Sequence, residues 1–356
     1  MTHLDLGQLC PELALLFSDP AVTSVVVNAP AEVLVERMTP SGSEVSCSEI
    51  FFSSSSCVHD VDRLIGNGRK ITGPMTSDPA QTIRDLAVAV IIDGWRVCVV
   101  RPPVSLQTSL VFVRILSASS FSLDRLVELG SLSEEIAGLL RKTLVAGSPI
   151  VISGPTRAGK TALLEALLRE PYLLSPRRCV VIDDQQGLAA PKAANWLSLM
   201  PAPGVSTADL VALALLSRHD ALVVNELHGP GSFKLIEAMG SGLRILVSLQ
   251  SSSASSAVRR LETLARSELS PEDIGLRTLL RESLGASGAT VIHLERTADG
   301  RRVVQEVIMV KGLTERENAF RVQPLFALAG DLDLAFPDHE PRPAWTEQWQ
   351  EEARTL

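Results

Sequence analysis

The run Gly154-Pro155-Thr156-Arg157-Ala158-Gly159-Lys160-Thr161 satisfies the pattern G-x-x-x-x-G-K-S/T in full. A phosphate chain needs several N–H donors at close range, and glycine lets the backbone wrap it without Cβ clashes. Gly154 and Gly159 serve that need. Lys160 brings an ammonium toward β- and γ-phosphates, and Thr161 offers a hydroxyl to Mg2+. A helix starting at this point adds a dipole that favours an anion. The chemistry implied is the handling of a nucleoside triphosphate with its magnesium ion. The competing reading is a chance glycine-rich turn ahead of a helix, and the flanks oppose it. Pro149 to Ser153 read as a buried strand. Ala162 to Arg169 read as an amphipathic helix with Leu163, Leu164, Leu167 and Leu168 on its apolar face.

Such a site also requires carboxylates, and two apolar runs end in them. Cys179-Val180-Val181-Ile182 leads into Asp183-Asp184, and Ala221-Leu222-Val223-Val224 leads through Asn225 to Glu226. At a strand end beside the phosphate loop, a carboxylate holds the water shell of Mg2+ or polarises the attacking water. Glu226, Asp183 and Lys160 are therefore the candidate catalytic residues, with Thr161, Asp184 and Glu226 as candidate metal-site residues. Asp183 and Asp184 also suit the simpler task of capping a strand end or a turn.

The elements that must position these residues follow from the pattern. From Ser131 to about Leu313 the order is helix, strand, loop, helix, and then strands alternating with helices. That order predicts a mostly parallel sheet with helices on both faces, which binds its ligand at the strand C-termini. Earlier, Val22 to Val27 and Val33 to Val35 read as strands around Asn28-Ala29-Pro30. Leu86 to Ile92 and Arg96 to Val100 read as a hairpin closed by Asp93-Gly94, and Leu110 to Ile115 as one further strand. The expected organisation is a smaller α+β domain over 1–116, a linker over 117–130 and a RecA-like P-loop domain over 131–326. A mobile, acidic and Pro-containing tail is expected over 327–356, and loops over 51–80.

The bulk composition narrows the classes. The chain has 356 residues, 46% of them hydrophobic but only 4% aromatic, and a formal charge of -8. That fits an α/β protein built on Ala, Val, Leu and Ile, and gives no global attraction to nucleic acid or to an anionic membrane. The five cysteines form no C-x-x-C pair, so neither a zinc cage nor a redox dithiol is indicated. No run reaches the roughly 18 apolar residues of a spanning helix. A cytoplasmic protein is expected, touching a membrane only through partners.

With these residues placed, the chain resembles the motor ATPases of bacterial type II and type IV secretion systems, of the CpaF/TadA (tight-adherence pilus) type, from about Asp19 to Phe326. The similar stretches are Asp19-Pro20-Ala21-Val22-Thr23, Val27-Asn28-Ala29-Pro30, Val33-Leu34-Val35-Glu36-Arg37, Asp93-Gly94-Trp95-Arg96-Val97, Leu123 to Ser131, and Thr207-Ala208-Asp209-Leu210-Val211. The resemblance implies ATP and Mg2+ as ligands and a homo-oligomer, a hexameric ring that drives pilus or secretion assembly. It implies an inner-membrane platform protein as partner, while the acidic charge and the lack of an aromatic-basic groove pattern argue against nucleic acid. It puts Glu226 at the Walker B glutamate, Asp183-Asp184 on an acidic box, and Arg96 and Arg114 where N-terminal arginines reach the triphosphate. A surface arginine is the alternative reading for both. Departures cluster at the site. Asp183 stands for a glutamate, Gly187 for a second acidic residue, Asn225 and His228 for the usual glycine and arginine, and Gln250 for a histidine. A non-catalytic nucleotide-binding subunit in a ring with an active paralogue is therefore the second functional reading.

Overall fold

The computed structural model describes residues 6, 10–29, 32–39, 42–50, 69–70, 87–92, 95–100, 109–114, 121–174, 177–183, 188, 195–201, 205–314 and 319–327. The chain divides into two compact units, residues 1–119 with 298–301, and residues 120–297 with 302–356.

In the first unit a 3-10 turn, Pro11–Leu13, leads into the short helix α1 (Ala14–Ser18). Then come β1 (Val22–Ala29), β2 (Glu32–Thr39), β3 (Gly42–Ser48), β4 (Arg69–Lys70), β5 (Ala87–Ile92), β6 (Trp95–Val100) and β7 (Ser109–Arg114). They form one antiparallel sheet in the order β3-β2-β1-β7-β6-β5-β4. The anticipated hairpins are present: Val27 pairs with Val33, and Ile92 with Trp95. The Asp93-Gly94 turn itself lies outside the described residues. Strand β3 carries no apolar alternation in its sequence, and Glu44 to Cys47 are exposed, as suits an edge strand. One face of this sheet is covered. Val22, Val25, Val27, Val33, Val35, Val97 and Phe112 pack with Leu13 and Leu16, and the Phe17 ring lies 5.1 Å from those of Trp95 and Phe112.

The second unit opens inside the segment expected to be linker. Helix α2 (Leu123–Glu128) starts at Ser122, whose hydroxyl accepts the Arg125 N–H at 3.0 Å. Its Leu123 and Leu126 are buried in this unit's core, so residues 123–128 belong to the packed domain and are not a spacer. Next is α3 (Glu134–Ala146), capped by Ser133 and stopped by Gly147 in the left-handed region, φ 81°. There follow β8 (Ile150–Ser153), α4 (Lys160–Leu168), α5 (Pro171–Leu174), β9 (Cys179–Asp183) and β10 (Trp196–Leu199). After them come α6 (Thr207–Leu216), β11 (Ala221–Asn225), α7 (Ser232–Gly240), β12 (Ile245–Leu249), α8 (Ala254–Arg266) and α9 (Ile274–Ala286). The unit closes with β13 (Thr290–Arg296), β14 (Arg302–Leu313) and β15 (Phe320–Ala327).

The sheet order is β10-β9-β11-β12-β8-β13-β14-β15. Pairing is parallel from β10 through β13, and antiparallel between β13, β14 and β15. This is the expected mostly parallel α/β sheet. Strands β8, β9, β11 and β12 are buried at every position, which is why they read as unbroken apolar runs. Alternate residues feed two cores. Val151, Val180, Ile182, Leu222, Val224 and Val247 pack with residues of α6 to α9. Ile150, Ile152, Val181, Val223 and Leu246 pack with residues of α2, α3 and α4. Each such fully buried side chain is worth about 1.5–3 kcal/mol relative to exposure.

One expectation needs correction. Helix α4 is not amphipathic in place: Glu165 and Ala166 are buried along with Leu163, Leu164, Leu167 and Leu168. Helix α2 packs against it, so the helix is enclosed beyond the face its leucines defined. The residues expected to form loops over 51–80, apart from β4, and the expected tail beyond 327 lie outside the described residues.

Candidate nucleotide-binding site

The phosphate loop runs from the end of β8 to the start of α4, as its sequence demands. Gly154 has φ 152°, and a Cβ there would lie 2.4 Å from the carbonyl oxygen of Leu294 on β13, so only glycine fits. Gly159 caps α4 with φ 98°. Between them Arg157 adopts φ 67° and Ala158 is buried. A Cβ-free cradle at the head of a helix fits a phosphate chain. Pro155, Thr156 and Arg157 are exposed, and the Arg157 carbonyl accepts the Arg302 Nε–H at 3.1 Å. Thr161 lies in the first turn of α4, part-buried.

Lys160 turns back over its own loop. Its Nζ donates to the Gly154 carbonyl at 3.1 Å and to the Pro155 carbonyl at 2.9 Å, and stands 3.8 Å from Glu226 Oε1. Burial pushes the Lys160 pKa below the ordinary lysine range, and the Glu226 carboxylate opposes that shift.

Glu226 follows β11 with φ 61°, in the left-handed region that non-glycine residues seldom enter. Its Oε1 accepts the Gln250 Nε2–H at 2.7 Å, and His228 Nε2 lies 3.9 Å from Oε2. Two of the positions that depart from the resembled family thus stand around the carboxylate that faces Lys160. Gln250 supplies a neutral donor there.

Asp183 ends β9 at the same edge of the sheet. Its Oδ1 accepts the Asn225 Nδ2–H at 3.0 Å and its Oδ2 accepts the Leu188 N–H at 2.9 Å. Asp184 and Gly187 lie outside the described residues. Arg96 and Arg114 sit on neighbouring strands of the first unit, paired with Val113 and Trp95. Among the described residues no group of three or more His, Cys, Asp or Glu side chains converges on a metal position. A P-loop magnesium is held by the Ser/Thr hydroxyl, phosphates and water rather than by an all-protein cage, so Thr161 beside Lys160 fits that ion.

Sequence reasoning did not single out Ser248 or His293 for this edge. Ser248 Oγ accepts the Glu226 N–H at 2.8 Å. His293, buried on β13, places Nδ1 3.0 Å from Ser153 Oγ and Nε2 3.0 Å from Glu295 Oε1. The available signal was a polar residue interrupting or closing an apolar strand run: Ser153, Asp183 and Asn225 close theirs, and Ser248 and His293 interrupt theirs.

A parallel sheet with a glycine loop between β8 and α4, and a carboxylate at the end of β11, one strand removed from β8 across β12, defines the P-loop NTPase class of fold. The chain belongs to the type II/IV secretion system protein family, whose model matches residues 84–312. It is similar to the conjugal transfer protein TrbB of Rhizobium radiobacter, 26% identical over 91% of this chain and 94% of that one. It is also 26% identical to the type IV secretion system protein VirB11 of Brucella suis biovar 1, over 63% of this chain and 67% of the relative. In fold it is similar to the X-ray structure of the Legionella pneumophila ATPase DotB, with TM-score 0.54 and 16% identity over 80% of this chain and 75% of that one. No helix among the described residues is long and apolar enough to cross a membrane.

Proposed function

We propose that this chain is an ATP-hydrolysing motor subunit of a type II/IV secretion or pilus machine. The observation that carries the reading is the Lys160 ammonium 3.8 Å from the Glu226 carboxylate, at the mouth of a complete glycine loop. In this reading the backbone N–H groups from Gly154 to Thr161 hold the phosphates, and Lys160 exchanges its loop carbonyls for phosphate oxygens. Thr161, Glu226 and Asp184 would hold Mg2+, which would supply charge neutralisation at the phosphates. Glu226 polarises the attacking water, Gln250 orients Glu226, and Asp183 supports it from behind. Arg96 and Arg114 are the candidate N-terminal arginines for the triphosphate. An N-terminal domain over 1–116, a motor domain that takes in α2 and runs to 326, a hexameric ring, an inner-membrane platform partner and a cytoplasmic position belong to the same proposal.

The test is steady-state phosphate release by the purified chain with Mg-ATP, against Lys160→Ala. Release above that variant is expected, and equal rates would leave a nucleotide-binding subunit without turnover. The second reading is favoured by the placement of Asn225, His228 and Gln250 around the site.

The tight-adherence pilus branch is the finer placement, supported by the stretches Asp19 to Thr23 and Val27 to Pro30. A conjugal-transfer placement competes with it, supported by the TrbB relative that spans 91% of this chain. Deleting the gene in its own cell and scoring surface filaments against plasmid transfer separates the two.

A further inference from the structure

The strand ends carry a buried polar row to which the phosphate-handling roles assign no direct task. Asn225 is in register with Asp183 across β11 and β9. Ser248 follows Val247, the partner of Val224 across β11 and β12, so it stands beside Asn225. Asp183, Asn225 and Ser248 are all buried. Buried polar groups at this depth must find partners, and the chemistry of each fixes the role of the next.

An ionised Asp183 only accepts, so Asn225 turns its amide NH2 toward it, with Nδ2 donating to Oδ1 at 3.0 Å. Asn225 Oδ1 then faces Ser248, whose hydroxyl donates to it at 3.2 Å. With its proton committed there, Ser248 Oγ accepts the Glu226 N–H at 2.8 Å. The Ser248 carbonyl also accepts the Leu227 N–H at 2.8 Å. Ser248 therefore grips the amides of Glu226 and of the residue after it. At the other end, the Leu188 N–H anchors Asp183 Oδ2 at 2.9 Å.

What the row holds is an unfavourable conformation. A non-glycine residue in the left-handed region is strained and persists only when its surroundings over-determine it. Glu226, φ 61°, is such a residue, and its carboxylate faces Lys160.

We propose that Asp183, Asn225 and Ser248 are positioning residues for hydrolysis. The row fixes the left-handed turn at Glu226 and so keeps its carboxylate aimed at the lysine side of the phosphate loop. Asp183 acts through Asn225 and does not touch nucleotide or attacking water. This rests on the hydrolytic reading of Glu226 given above.

An exchange of side chains tests it in the full-length protein. Asp183→Asn sets an amide NH2 against one of the two donors there, the Asn225 NH2 or the Leu188 N–H, and Asn225→Asp sets two carboxylates together. Each single variant should lower kcat at least about tenfold with KM for Mg-ATP within about twofold, as loss of an interaction felt in the transition state requires. Combining Asp183→Asn with Asn225→Asp rebuilds every bond. The amide at 183 donates to the carboxylate at 225 and still accepts from Leu188, while that carboxylate still accepts from Ser248. Turnover should return to within about threefold of wild type. A double variant as slow as Asp183→Asn, yet binding ATP normally, would mean that Asp183 touches the reacting atoms and would overturn the proposal. Single variants with wild-type kcat would overturn it too.

Hydrogen exchange at the Glu226 amide reads the same row without turnover. Protection should be lost in Ser248→Ala and in Asp183→Asn, and should persist in Ser248→Thr and in the double variant. If wild type itself released no more phosphate than Lys160→Ala, the hydrolytic reading would fail and exchange alone would decide the row. Equal protection of Glu226 in wild type, Ser248→Ala and Asp183→Asn would then refute it.

Discussion

The two sheets of this chain solve burial in opposite ways. In the first unit every pairing is antiparallel, one face is packed under α1, and the edge strand β3 leaves Val45 exposed. In the second, five parallel pairings produce strands buried on both faces. The difference decides where chemistry can sit. Parallel strands all finish at one edge, so polar residues near their ends come side by side: Asp183 beside Asn225, Asn225 beside Ser248, and Ser153 beside His293. Antiparallel strands finish alternately at opposite edges and assemble no such row.

Four measurements can break or sharpen this contrast. The largest effect is expected from Lys160→Ala, which should weaken ATP binding at least about a hundredfold, since charge-assisted bonds to phosphate are among the strongest available. Calorimetry reads it, and unchanged affinity would remove the loop from nucleotide binding. Phe112→Ala, in the core of the antiparallel sheet, should cost about 3–5 kcal/mol in denaturant unfolding. It should leave ATP affinity within about twofold if chemistry is confined to the parallel edge.

Gly154→Ala should cost about 2–4 kcal/mol, because its Cβ would meet the backbone oxygen of Leu294 at 2.4 Å. A stable Gly154→Ala protein with normal affinity would show that the loop tolerates Cβ where the parallel edge forbids it.

The smallest effect is a pH dependence. The folded-state pKa of Lys160 lies below its ordinary 10.5, so between those values the unfolded chain binds more protons and stability rises with pH. Relative to Lys160→Met, wild type should gain stability as the pH is raised toward 10.5. The opposite slope would mean that its carbonyl and carboxylate partners outweigh burial.

The contrast also explains what could be read in advance. Apolar runs such as Val180 to Ile182 and Ala221 to Val224 declared the parallel strands, and the glycine pattern declared the loop between β8 and α4. The hairpins of the first unit announced themselves by turn residues between alternating segments. Other features left no local trace. Edge strand β3 (Gly42–Ser48) has little to bury and therefore no pattern. Helix α2 lay inside a segment read as spacer for its small polar residues, although Leu123 and Leu126 reach the core. The enclosure of α4 depends on α2 packing against it, a contact between distant parts of the chain. At the site, Lys160 and Glu226 were legible because each belongs to a short local motif. Ser248 was not, because its task depends on the register of β12 against β11 and on φ at Glu226, neither of which is written in neighbouring residues.

The lysine folded over its own loop makes the ligand-free protein its own competitor. Nζ already holds the Gly154 and Pro155 carbonyls at 3.1 and 2.9 Å. A triphosphate therefore enters by exchange, displacing two bonds of about 1.5–3 kcal/mol each as it makes its own. Only the difference reaches the calorimeter as heat, so binding should be less exothermic than the number of new contacts suggests. A short anion such as inorganic phosphate offers fewer contacts for that exchange and should bind more weakly than a triphosphate, a preference set by an internal rival before any part of the base is read.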